Sequence, residues 1–151
     1  MNLYELGFQT TVTAAGAALA EIVAAGRPMA ILEFSAFNSA ATAAARLQLG
    51  RPGNTPAGGS VVPAATPINL PQDMVASGGG VILSGQTTPP TAPVAGEVKR
   101  NWSLPATIGA AAVWSWLPGE MVVGTTRSRS LLFWNVTGII GLQNCHIKWL
   151  E

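Results

Sequence analysis

The stretch Tyr4-Glu5-Leu6-Gly7-Phe8-Gln9-Thr10-Thr11-Val12 alternates without a break. Tyr4, Leu6, Phe8, Thr10 and Val12 fall on one side, and Glu5, Gly7, Gln9 and Thr11 on the other. Side chains that alternate with a period of two define a strand with one buried face. The same pattern returns along the chain. Residues 29–37 place Ala30, Leu32, Phe34 and Ala36 on one face, with Glu33 and Ser35 opposite. Ala45, Leu47 and Leu49 alternate with Arg46 and Gln48, and this strand stops at Gly50-Arg51-Pro52. Near the end, Cys145, Ile147 and Trp149 share a face of residues 142–150.

Between these anchors the other elements follow. Residues 13–25 carry two signals: the alanines favour a helix, whereas Gly16 and the β-branched Ile22-Val23 favour a turn and a short strand over 19–23. We take the turn and strand. A turn is expected over 38–42. Lys99-Arg100-Asn101-Trp102-Ser103-Leu104 reads as a strand that ends at Pro105, and residues 111–117 read as one with Trp114 and Trp116 on a common face. Pro118-Gly119 is a turn, followed by a strand over 120–123. Residues 129–136 are apolar on both faces through Leu131, Leu132, Phe133 and Trp134, as in a central strand covered on two sides. Gly138 and Gly141 flank the last turn. About eight short strands with regular turn signals, and no alternation with helices, predict an all-β fold. Its architecture is an antiparallel β-sandwich of jelly-roll or Greek-key type.

Residues 51–96 differ in composition. They hold eight of the 11 prolines and only two charges, Arg51 and Asp73. Long regular elements are not expected there, although Gly80-Val81-Ile82-Leu83 has the makings of a short strand. The chain thus reads as one domain over 1–151 with 51–96 as a Pro/Gly-rich insertion. Two readings stand: a flexible loop, or an extended arm ordered by packing on a neighbouring subunit. The low charge favours the arm, because disordered segments usually keep themselves solvated with charge.

Composition bounds function. Of 151 residues only 10% are charged and 48% are apolar, against about 25% charged in an ordinary soluble domain. Eight basic and seven acidic residues leave a net charge of +1. That is no footing for nucleic acid, which demands clustered cations. A chain so weakly charged is poorly soluble alone, so burial of its surface in an assembly is expected. No run of 18 apolar residues is free of Gly, Pro and charge, so no membrane span is expected. Met1-Asn2-Leu3-Tyr4-Glu5 lacks the positive start of a secretory signal, and the Ala-rich 14–25 is interrupted by Gly16 and Glu21. A single cysteine, Cys145, excludes an intrachain disulfide and a multi-cysteine metal site.

Catalytic patterns are sparse. His146 is the one histidine, so a triad would have to use it with Asp73, a glutamate or Cys145. Cys145 and His146 are adjacent in a strand and point to opposite faces. The seven carboxylates are scattered singly, which gives no metal-ligand spacing and no paired-carboxylate signature. Gly78-Gly79-Gly80 lacks the lysine and helix of a phosphate loop, and Asn135-Val136-Thr137 is a glycosylation sequon that matters only on secretion. No enzyme activity, metal or cofactor is expected. Arg127-Ser128-Arg129 reads either as solvated surface charge or as a contact to an acidic partner. The five tryptophans read as core and subunit packing, or as a sugar-stacking platform. The candidate subunit-interface residues are Trp114, Trp116, Arg127, Arg129 and Trp134.

The order Ala18-Leu19-Ala20-Glu21-Ile22-Val23, then Arg27-Pro28-Met29-Ala30-Ile31-Leu32-Glu33, resembles that of small virion proteins of tailed bacteriophages. Arg46-Leu47-Gln48-Leu49-Gly50-Arg51-Pro52 and Trp116-Leu117-Pro118-Gly119-Glu120-Met121-Val122-Val123, followed by residues 131–136, are similar to the same family. The resemblance implies a jelly-roll sandwich on the virion, commonly a trimeric capsid decoration, or cement, protein. Its partners would be the major capsid protein or other virion proteins and further copies of itself, and it would bring no catalytic residues. The Pro-rich 51–96 departs from the shortest members. A carbohydrate- or receptor-binding module of a fibre, or a neck or tail component, is the alternative.

Overall fold

Two six-stranded antiparallel sheets pack face to face, and their elements follow the alternation of the sequence closely. The computed structural model describes residues 2–12, 15–24, 26–40, 43–62, 68–70, 80–84, 86–137 and 140–151. Expectations placed on Asp73, on Gly78-Gly79, on Gly138 and on parts of 13–25, 38–42 and 51–96 lie outside the described residues. The strands are β1 (Leu3–Val12), β2 (Ala17–Ala24), β3 (Met29–Asn38), β4 (Ala45–Gly50), β5 (Ser60–Val61), β6 (Ile68–Leu70) and β7 (Gly80–Ser84). They continue as β8 (Val98–Leu104), β9 (Ala111–Ser115), β10 (Val122–Val123), β11 (Leu131–Thr137) and β12 (Ile140–Leu150). The first sheet runs β10–β3–β12–β1–β6, with β9 pairing on β3 as well. The second runs β5–β7–β2–β11–β4–β8.

The first and last strands are neighbours. β12 pairs with β1 from Leu3↔Leu150 to Thr11↔Leu142 and with β3 along its other edge. Tyr4, Leu6 and Phe8 therefore lie directly opposite Trp149, Ile147 and Cys145, all buried. Tyr4 stacks on Trp149 with ring centroids 5.7 Å apart. The second sheet answers with Leu19, Ile22, Leu47, Leu49, Leu131 and Phe133. Phe133 ties the layers together: it meets Phe34 edge-on at 5.2 Å and stacks on Trp102 at 5.9 Å. At one end the Thr10 hydroxyl donates to the Leu19 carbonyl, so β1 is bonded across the sandwich to β2.

The face assignment of β3 departs from simple alternation. Its register against β12 passes from Glu33↔Lys148 to Ile31↔Trp149, so Leu32 is an extra residue in a β-bulge. Met29 and Ile31 consequently point into the core together with Phe34 and Ala36, while Ala30 and Leu32 are only partly buried. The bulge shifts the phase by one residue and buries the larger side chains of both halves.

β11 sits between β2 and β4, and both of its faces are buried. Its inner face is the core, and the Pro-rich segment supplies a cover for the outer one. Residues 51–57 run back along 88–97, joined by Arg51 N–H to Glu97 O at 3.1 Å and Gly53 N–H to Thr91 O at 3.3 Å. Ala57 and Thr88 exchange backbone hydrogen bonds, and the Asn54 amide spans to the Pro89 carbonyl and the Thr91 N–H. Pro52, Pro56 and Pro90 are buried in this layer. The described flanks of the Pro-rich segment thus pack on their own chain.

Glu21 lies under that layer, opposite Leu132 in register and with no exposed surface. Arg127 grips its carboxylate with two N–H groups at 2.8 and 2.5 Å, Gln86 donates a third hydrogen bond at 3.0 Å, and the remaining Arg127 nitrogen reaches the Gly58 carbonyl. A buried charge is tolerated only when paired and hydrogen-bonded in this way. Gly50 marks the other side of the cover: a Cβ there would stand 2.7 Å from Pro93 Cβ and 2.8 Å from Glu97 O.

Arg127→Ala leaves Glu21 buried and unpaired, and urea unfolding should show a loss of about 3–5 kcal/mol. The double variant Glu21→Leu/Arg127→Met should recover most of it, because apolar isosteres of a buried pair are often neutral. Gly50→Ala should cost about 1–3 kcal/mol by forcing Pro93 off the sheet, measured in the same way.

Candidate interaction surface

The histidine and the cysteine occupy opposite sides of β12. Cys145 is buried in the core, and burial pushes its thiol well above the ordinary range. His146 faces outward on the first sheet, with Nε2 3.4 Å from Glu5 and Nδ1 3.6 Å from Glu33. The two carboxylates meet different ring nitrogens from adjacent strands, so they bracket the imidazole and do not converge on one point. Among the described residues no group of three His, Cys, Asp or Glu has the arrangement to hold a metal ion.

The expected interface residues are dispersed over the fold. Trp114, on the inner side of β9, and the next inward residue, Trp116, close the gap between the two sheets. The Arg100 guanidinium lies over both rings, 5.4 and 5.0 Å from their centres. Trp102 packs against Trp114 at 6.0 Å. Trp149 is core, and Trp134 is buried on the outer side of β11. Each indole is therefore committed to packing, whereas a sugar platform presents a flat open ring. Arg127 is committed to Glu21. The Arg129 side chain has no hydrogen bond or ion pair among the described residues, and its stem lies against Gly124.

The surface that residue-by-residue reading missed is the other side of β9. Its outward positions carry Ala111, Val113 and Ser115, and the line continues into Leu117, with Phe37 beside Ala111 on β3. Ile108 stands at its near end, and the exposures of Ile108, Leu117 and Val113 are 71%, 70% and 54%. β9 pairs with β3 alone. The bonds Asn38 N–H to Ala110 O and Trp116 N–H to Leu32 O bracket the strand. By antiparallel alternation, the amides and carbonyls of Ala111, Val113 and Ser115 then point away from the sheet. The loop that carries Ile108 is fixed from beneath: the buried Asn38 amide donates to the Pro105 carbonyl at 2.8 Å and accepts from buried Gln143. One sequence signal marks this surface: no charged residue stands between Arg100 and Glu120. Natural edge strands are usually guarded by lysine, proline or a bulge, and β9 itself carries none of these.

Native protein should resist labelling of Cys145 by a maleimide at pH 7.5 and label fully in guanidinium chloride; labelling at equal rates in both would show that the β1–β12 core is open. Comparison with known protein families, curated proteins and solved structures finds no match for the chain.

Proposed function

We propose that the chain is a structural subunit of a tailed-phage virion, an oligomeric capsid decoration protein that reinforces the head shell. The observation that carries this reading is the uncharged edge strand β9 with its exposed stripe from Ile108 to Leu117. Open backbone groups beside apolar side chains fit a strand-to-strand contact with another protein surface. The occupant we assign is a second copy of the chain, with three copies closing a ring as the resemblance to phage decoration proteins implies. In this reading the two sheets form a jelly roll, and the assembly works by area burial. A subunit that binds only the assembled shell stabilises that state by mass action. With few charges at the contact, binding is tolerant of salt.

The test combines native mass spectrometry of the purified chain with sedimentation on capsids stripped of it. A trimer that binds capsids and raises their disruption temperature is the expected result. Val113→Lys, at an exposed position, should leave the circular dichroism spectrum unchanged and weaken self-association by about tenfold or more. A monomer at all concentrations, indifferent to capsids, overturns the proposal.

A further inference from the structure

A second surface lies where the Pro-rich segment begins, at a cleft of about 450 Å³ lined by Arg51, Pro52, Glu97, Lys99, Ser128 and Arg129. Three of the chain's eight basic residues face this one space, against one carboxylate. Glu97 is already engaged: it pairs with Lys99 at 2.8 Å, which holds its carboxyl below the usual range. Arg51 is held from behind by neutral groups only. Its guanidinium donates to the backbone carbonyls of Val122, Arg129 and Ser130. Those bonds orient it without balancing its charge. Burial works against that charge and lowers its pKa; the Glu97 carboxylate opposes this in part, and Arg129 adds repulsion. Arg129 brings a second guanidinium, which feels the Glu97 charge but makes no hydrogen bond or ion pair among the described residues. The Ser128 hydroxyl, at the wall, donates to the Thr126 hydroxyl at 3.4 Å.

We infer that this cleft receives a single oxyanion group, a carboxylate or a phosphate. Two guanidinium groups suit an anion with several acceptor oxygens, which guanidinium binds in a forked geometry. Arg51 is pre-positioned by its carbonyl contacts, so ordering it on binding costs little. Arg129 supplies a mobile donor that closes over the anion, while Lys99, through its pair with Glu97, offsets that carboxylate. The inference is independent of how β9 is covered, since none of the residues that line the cleft belongs to the β9 stripe.

The test is a titration of the native, isotope-labelled protein at constant ionic strength, followed through backbone amides 128–130 and the arginine Nε–H resonances. The probes are inorganic phosphate and glutarate, with chloride as the control. Saturable shifts confined to Arg51, Ser128 and Arg129 are expected with one or both oxyanions and not with chloride. Preference for glutarate assigns the site to carboxylates such as acidic side chains, and preference for phosphate assigns it to phosphate. Arg129→Gln, which keeps the stem that lies against Gly124, should raise the apparent Kd about tenfold or more. Arg27→Gln, at an exposed site elsewhere, should change nothing. Linear shifts equal to those with chloride, or binding unchanged in Arg129→Gln, overturn the inference.

Discussion

The pairing of β12 with β1 on one edge and β3 on the other is the constraint on which the molecule depends. It joins residues near 3–12 to residues near 140–150 and sets the centre of the first sheet. Every large side chain of that sheet's inner face is placed by this register. A slip of one residue would turn Tyr4, Leu6 and Phe8 outward and leave the second sheet facing polar atoms. Tyr4 on Trp149 and Phe133 between Phe34 and Trp102 then fix how the second sheet sits on the first.

The second sheet has a different problem, since its central strand is apolar on both faces. One face is satisfied by the core. The other is covered by proline-rich chain, which has the right properties for a layer of single thickness. Proline lacks a backbone N–H, so it leaves fewer donors to satisfy under cover. Its fixed φ also reduces the entropy lost when an irregular segment is ordered. The charge deficit of residues 51–96 belongs in part to this internal role. Glu21 and Arg127 bring full charge beneath the layer, and they enter together.

Much of the fold is legible in the sequence, because alternation is a local signal. β1, β4 and β12 show it plainly, and the two-sided apolar run of β11 identifies a central strand before any partner is known. The phase of β3 is not legible. A bulge at Leu32 depends on which residues of β12 it must face, and that information lies more than 100 residues away. The Glu21–Arg127 pair is hidden for the same reason, although a lone glutamate inside an apolar strand is itself a trace of it. At the surface, Arg127 and Arg129 look equivalent in the chain, two residues apart. One is drawn under the cover by Glu21, and the other is left at the cleft. The edge stripe is faint in the sequence because the large side chains of residues 111–117, Trp114 and Trp116, belong to the inner face, and the outer one is marked only by the absence of charge between Arg100 and Glu120.

The position of β12 also bears on how the protein is made. β1 and β3 precede β12 by about 100 residues or more, and although β1 also pairs with β6 and β3 with β9 and β10, the long partner they share comes only with residues 140–150. Throughout that interval both strands hold exposed edges and unburied aromatic side chains, in a chain with little charge to keep copies apart. Long-range pairing of this kind closes slowly, on the scale of milliseconds to seconds. Nascent chains of this protein therefore have a window of vulnerability that lasts until β12 is made. Clustered copies on one messenger would compete with β12 for the same edges.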